Sequence, residues 1–296
     1  MAYHLGRILF EKFDRECVII KVGNGNNESS SNGIFDYRYD FDAIDPNTLA
    51  RSIRSEDILV INSHFSDALL GLRLPGKKLM YIQDFKTFRV LDGFCSHYVS
   101  VSDCVRHFIK HVYNMDTPVI PAFIRHDLIP PVTPWVERPA SSILAIGKLY
   151  FTEFLQVFRK TMETRHPDLK LDITTNPRLP HGELLKKMSE NRYLLSLSAC
   201  EGFGLQPLEA MACGCAVTGF SGCGGREFMR PGINCESTDY PDFPGLADRL
   251  ANLVRNPDRA AEIAGRGLMD AKAYDMETFD RRWKDYISKS SLIVAT

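Results

Sequence analysis

Along the chain, short continuous apolar runs alternate with stretches that carry an apolar residue every three or four positions. Runs of the first kind suit strands covered on both faces, and the second spacing suits amphipathic helices. Residues 2–13 place Leu5, Ile8, Leu9 and Phe13 on one helical face. Apolar runs at 17–22, 58–62, 78–82, 98–101 and 119–120 predict strands, with helices over 65–72 and 104–113. The polar, glycine-rich text from Gly23 to Gly33 predicts a loop. A stiff stretch, Pro130-Pro131-Val132-Thr133-Pro134, is expected to be a linker. Beyond it the alternation resumes, with strands at 142–146, 170–174, 193–198 and 216–220 and helices near 152–164, 181–190, 207–213 and 246–255. Strand–helix alternation of this kind predicts an α/β chain with parallel sheets. Two domains are expected, 1–134 and 135–275, followed by a terminal segment 276–296 with Phe279, Trp283 and Tyr286 at helical spacing.

Composition narrows the function class. The 296 residues include 36 Lys+Arg and 37 Asp+Glu, a net charge of −1, with 44% hydrophobic and 25% charged residues. That balance is globular rather than disordered or fibrous. Before residue 134 there are 15 basic and 16 acidic side chains, and after it 21 of each, so neither half is a polycation that binds nucleic acid by bulk charge. No apolar run reaches the ~18 residues of a membrane span. The opening residues carry scattered charges and no small-residue cleavage site, unlike a signal peptide. Eight cysteines are dispersed without a CxxC pair, so they are read as reduced packing residues and a cytoplasmic location is expected.

Chemistry concentrates in one segment, Glu201-Gly202-Phe203-Gly204-Leu205-Gln206-Pro207-Leu208-Glu209-Ala210-Met211-Ala212-Cys213-Gly214, directly after an apolar strand. Gly202 and Gly204 remove side chains where a ligand approaches the backbone. Pro207 fits the first turn of a helix, Glu209 is placed in that same turn, and Gly214 ends it. A strand, a glycine-containing loop and a helix N-terminus make an anion-binding arrangement. Two carboxylates flanking it accept hydrogen bonds from sugar or ribose hydroxyls.

This segment resembles the donor-site motif of retaining glycosyltransferases with the GT-B fold, family 4 above all, in which one Glu is followed by seven residues and a second Glu. The resemblance implies two Rossmann-like domains facing each other across a cleft. It assigns Glu201 to the transferred sugar, Phe203 and Gly204 to sugar and phosphate through their backbone, and Glu209 to the ribose; Gly202 and Leu205 share that loop. Gly224-Gly225-Arg226-Glu227 resembles the family's segment near the donor diphosphate. Leu144-Ala145-Ile146-Gly147-Lys148 resembles its strand ending in Gly-Arg, with Lys148 in the phosphate-binding position. Tyr98–Ser102 and Val119–Pro121 resemble the closing elements of the acceptor-side domain, and 274–287 its terminal helix, which packs back across the hinge.

Three departures from the family pattern set further expectations. The chain opens at what looks like the helix after the family's first strand and loop, so the acceptor-side domain is expected to be shortened. No Lys-Gly follows Lys148, which leaves Lys148 as the main diphosphate cation and Arg226 as its candidate second. The acceptor-side strand ends in Gln83-Asp84 where the family often has His-Asp, so that role passes to Gln83, with Asp84 and His64 as further acceptor-side candidates.

Together these expectations describe an enzyme that moves a sugar from a nucleotide-diphosphate sugar to a hydroxyl of a glycan, polysaccharide or lipid-linked acceptor. The resemblance implies retention at the anomeric carbon, with no bound metal or other cofactor. Glu201 and Glu209 lie at opposite ends of one loop, not across one bond as the paired carboxylates of a retaining glycosidase do. Front-side transfer is therefore expected, with the leaving diphosphate helping to deprotonate the acceptor. The rival readings are a non-catalytic, degenerate partner subunit and a nucleotide-sugar epimerase on the same scaffold. Contact with the inner face of a membrane, and association with a partner subunit, stay open.

Overall fold

The computed structural model describes residues 2–20, 41–62, 73–84, 95–175 and 179–293. The loop expected over 23–33, the helix expected over 65–72, and His64 lie outside them. The chain divides into two compact units, Met1–Ala122 with Met276–Thr296, and Phe123–Asp275. The Pro130–Pro134 stretch, expected to separate domains at residue 134, falls inside the second unit.

In the first unit, helix α1 (Ala2–Phe13) buries Leu5, Ile8 and Leu9. A parallel pair, β1 (Ile19–Ile20) and β2 (Ala43–Ile44), precedes α2 (Pro46–Ser52). Three further strands, β3 (Ile58–Asn62), β4 (Lys77–Ile82) and β5 (His97–Ser100), form a parallel sheet in that order. Helix α3 (Asp103–Tyr113) follows, capped by Ser102 Oγ, which accepts from the Val105 N–H. The strand expected at 119–120 is a single parallel bridge between Val119 and Ser100, because Pro118 and Pro121 flank it and donate no N–H.

The second unit is built on five parallel strands: β6 (Ser142–Ile146), β7 (Asp172–Thr175), β8 (Tyr193–Ser196), β9 (Ala216–Phe220) and β10 (Glu236–Thr238). Their order across the sheet is β10-β9-β8-β6-β7. Helices α4 (Phe151–Arg165), α5 (His181–Glu190), α6 (Leu205–Ala212), α7 (Phe243–Arg255) and α8 (Pro257–Ala271) cover it. Right-handed crossovers put α4 on one face and, after the chain reverses direction at β7, α5 and α6 on the other. The packing follows, since α4 meets α7 and α5 meets α6. The central strands β6, β8 and β9 are buried at every position, as a sheet covered on both faces requires. Tyr193, Leu195, Phe158, Leu250 and Ile263 lie in one core cluster.

The last helix, α9 (Met276–Lys289), belongs to the first unit. Its Trp283 is fully buried and meets the Tyr81 ring edge-on at 5.1 Å. The Tyr81 hydroxyl donates to the Ile120 carbonyl at 2.8 Å. Arg7 of α1 ion-pairs with Asp280 of α9.

Candidate functional site

The sheet of the second unit has one point where the chain leaves a strand in opposite directions. From β6 it crosses to β7 on one side and later returns to β8 on the other. Parallel sheets bind ligands in the crevice beyond the carboxyl ends of two such strands. Gly147 and Lys148 follow β6 there, and β8 runs on through Leu197–Cys200 to Glu201. Lys148 Nζ and Glu201 Oε2 meet at 2.6 Å, with the lysine side chain 60% exposed and the glutamate 12%. The fold thus brings together two residues that the sequence singled out 53 positions apart. A side chain at Gly147 would press within 2.6 Å of Phe151 in the first turn of α4.

Glu201 is fixed by its backbone. Its N–H donates to the Gly222 carbonyl at 2.7 Å, and its own carbonyl accepts from the Gly224 N–H at 2.9 Å. Between these bonds Cys223 makes a tight turn at φ 66°, ψ −64° and opens the 3-10 turn Gly224–Glu227. A Cβ on Gly224 would sit 2.2 Å from the Gly202 carbonyl oxygen and 2.5 Å from the Phe203 nitrogen. The two glycine-bearing segments that the sequence singled out are therefore in backbone contact. The Phe203 ring is buried against Phe228 and Tyr274 at centroid distances of 5.5 and 5.7 Å.

Gly204, left-handed at φ 90°, opens α6 without a side-chain cap. The helix begins at Leu205, so Pro207 is its third residue and Glu209 its fifth. Glu209 therefore lies two residues deeper than the first-turn position expected from the sequence, in the second turn. Pro207 still falls among the leading residues whose N–H groups lack helical partners. At the far end Gly214, at φ 75°, lets its own N–H and that of Cys215 reach the Met211 and Ala210 carbonyls, each at 2.9 Å.

The deeper placement buries Glu209 and turns it toward α5. Its Oε1 accepts a 2.7 Å hydrogen bond from His181 Nε2, between side chains only 9% and 16% exposed. The bond to the carboxylate holds the His181 imidazole above its ordinary pKa, against burial and the charge of Arg125. The sequence reading missed His181. It sits at the start of a helix that was expected, but no spacing linked it to a residue 28 positions away.

Arg226 pairs with Asp239 at 2.8 Å, both side chains being more than half exposed. Ser221 Oγ donates to the same Asp239 oxygen at 3.0 Å. The Arg226 guanidinium holds the Asp239 carboxyl below the usual carboxylate range. Gln83 and Asp84, half-buried, follow β4 in the first unit. Among the described residues no two cysteines form a disulfide. Burial pushes Cys215 up to about 12 and Cys235 up to about 11, so both behave as small apolar groups. Among the described residues no helix is long and apolar enough to cross a membrane.

Residues 173–267, which include α5, the Glu201–Glu209 segment and the Gly224–Glu227 turn, match the family model of glycosyl transferases group 1. No curated protein matches the sequence. Solved structures do resemble it at low identity. A glycosyltransferase from Rickettsia africae ESF-5 aligns at TM-score 0.70 and 14% identity, covering 97% of this chain and 94% of that one. A mutant TarM from S. aureus, in complex with fondaparinux, alpha-GlcNAc-glycerol and UDP, aligns at 0.67 and 14%, covering 81% of this chain and 57% of its own. A sucrose-phosphate synthase from Thermosynechococcus elongatus aligns at 0.65 and 15%, covering 78% and 73%. This chain thus spans little more than half of the TarM chain. The fold is the α/β GT-B fold, with two Rossmann-like units.

Proposed function

We propose that the chain is a glycosyltransferase that moves a sugar from a nucleoside-diphosphate sugar to an acceptor hydroxyl, with retention at the anomeric carbon and without a resident metal. The observation that carries this reading is the Lys148–Glu201 ion pair at the strand-switch crevice, inside a unit where Glu209 follows eight residues on. Lys148 and the uncapped N–H groups at the start of α6 receive the diphosphate. Glu201 accepts from hydroxyls of the transferred sugar, and Glu209 from the ribose.

The reaction breaks the bond from the anomeric carbon to the diphosphate oxygen and forms one to the acceptor oxygen on the same face. The acceptor proton passes to the departing diphosphate oxygen, while Lys148 and the α6 dipole stabilise the charge that builds there. Gln83, Asp84 and His64 are proposed on the acceptor side, and Arg226 as a second diphosphate cation once it leaves Asp239.

The test is release of nucleoside diphosphate from UDP-, GDP-, ADP- and dTDP-glucose, with simple alkyl glycosides as acceptors and product configuration read by NMR. One donor should be consumed only when acceptor is present, giving a glycoside of the donor's own configuration, and Glu201→Ala should abolish turnover. Consumption of donor without acceptor, with a changed sugar recovered, would move the reading to an epimerase.

A further inference from the structure

Glu209 has one occupied oxygen and one open one. Oε1 is held by His181 Nε2 at 2.7 Å, and among the described residues nothing donates to Oε2. A carboxylate this buried needs a partner, because desolvation without compensation disfavours its charged form. We propose that His181 is a positioning residue of the donor site: as imidazolium it fixes the rotamer and charge of Glu209, leaves Oε2 as the acceptor for a ribose hydroxyl, and makes donor affinity fall as pH rises. The inference rests on the reading of Glu209 as the ribose acceptor.

The surroundings set the sign of the effect. Among the described residues the charged groups that act on His181 are Glu209 from α6 and Arg125 from the segment before residues 126–128; Arg125 is itself held by Asp127 at 2.7 Å. The thiol facing Glu209 from the helix end, Cys213, is kept neutral by burial. The Glu209 bond outweighs burial and Arg125, so the imidazolium persists above its ordinary titration range. Below that raised value the His181–Glu209 pair is neutral overall. Above it, the pair carries a net negative charge close to where an anionic donor binds, and affinity drops. The diphosphate diester of a nucleotide sugar does not titrate above pH 6, and the ring N–H of uracil, thymine and guanine ionises only above pH 8, so a slope between pH 6 and 8 belongs to the protein.

The experiment measures the dissociation constants of UDP-, GDP-, ADP- and dTDP-glucose from pH 6 to 8 for the wild type, His181→Gln, His181→Leu and Glu209→Gln. Ligand-free NMR titration of His181 and thermal unfolding of every variant accompany it. For the nucleotide sugar that binds, wild-type affinity should weaken about five- to tenfold across the window, the range separating a charge-assisted from a neutral hydrogen bond. His181→Gln, which keeps a neutral donor, should start at the weaker value and show no slope, and His181→Leu should be weaker still. In Glu209→Gln the His181 titration should fall below the ordinary histidine range, because burial and Arg125 then act unopposed.

If Glu209→Gln loses affinity while His181→Gln keeps the wild-type value and slope, the positioning role falls and the reading of Glu209 stands. If Glu209→Gln binds like wild type, or no nucleotide sugar binds the wild type, the reading falls and takes the inference with it. A His181 titration indifferent to Glu209→Gln overturns the pairing whatever the ligand does.

Discussion

Lys148 and Glu201, 53 residues apart in the chain, meet at 2.6 Å beyond the carboxyl ends of two neighbouring parallel strands. With the lysine well exposed, such a pair contributes only ~0–1 kcal/mol to folding. The proposed reaction gives it its weight, because a cation and a carboxylate stand together where the sheet's connections part.

Lys148→Ala should therefore leave the fold almost untouched and slow transfer about 10²-fold, the scale for removing one group that stabilises a developing anion. Thermal unfolding and steady-state turnover, measured side by side, check this. A Tm unchanged within a degree or two, together with unchanged turnover, would remove Lys148 from the reaction.

Gly224→Ala should damage both stability and turnover. The new methyl group would meet the Gly202 carbonyl at 2.2 Å, and both partners are backbone that has no rotamer to yield. Overpacking of this kind costs about 1–3 kcal/mol. Gly265→Ala in α8 is the control, since nothing lies within 4 Å of its added carbon. That change should stabilise the helix by roughly 0.4–1 kcal/mol. Urea unfolding midpoints of the two variants should move in opposite directions.

Arg138→Met should lower the unfolding free energy by about 3 kcal/mol or more, with several buried carbonyls losing their donors at once. Arg138 is almost fully buried and donates to the Thr133, Asn191, Gly214 and Cys213 carbonyls at 3.0, 2.8, 3.1 and 2.8 Å. Arg138→Lys should recover little of the loss, because one ammonium does not span the fork of a guanidinium. Denaturant titration of both variants measures the difference.

Cys223→Gly should raise stability by about 1 kcal/mol. Cys223 holds a γ-turn of the rare, strained hand, where a side chain is unfavourable. A higher urea midpoint with turnover equal to or below that of the wild type is the expected result. A lower midpoint would mean that the half-buried thiol contributes more by packing than the turn costs.

Much of this architecture was legible in the sequence. The strands 58–62, 142–146 and 216–220 and the helix 181–190 lie where the apolar runs and helical spacing place them. Helix α8 was not foreseen: Gly265 and Gly267 interrupt its apolar stripe. At Gly267 a Cβ would stand 3.1 Å from both the Asn234 carbonyl oxygen and Met211 Cγ, which shows how closely α8 approaches α6. Helix α2 was missed despite a readable start, in which Asp45 accepts from the Asn47 and Thr48 N–H groups.

At the site, local spacing revealed the carboxylates but not their depth. Gly204 starts α6 two residues earlier than Pro207 suggested, and that shift carries Glu209 inward to His181. Pairings such as His181–Glu209 and Arg226–Asp239 depend on the order of strands in the sheet, which one-dimensional patterns do not encode.

The most direct measurement is the unfolding temperature of the whole chain against UDP-, GDP-, ADP- and dTDP-sugars, in the wild type and in Glu209→Ala. At about 100 times its dissociation constant a bound nucleotide sugar should stabilise the native state by roughly 2.7 kcal/mol. The account predicts that compounds of one base raise the wild-type Tm by several degrees and leave Glu209→Ala unmoved. A panel without any shift, or a shift equally large in Glu209→Ala, would contradict a donor site at the β6–β8 crevice and favour a chain that does not itself bind the donor.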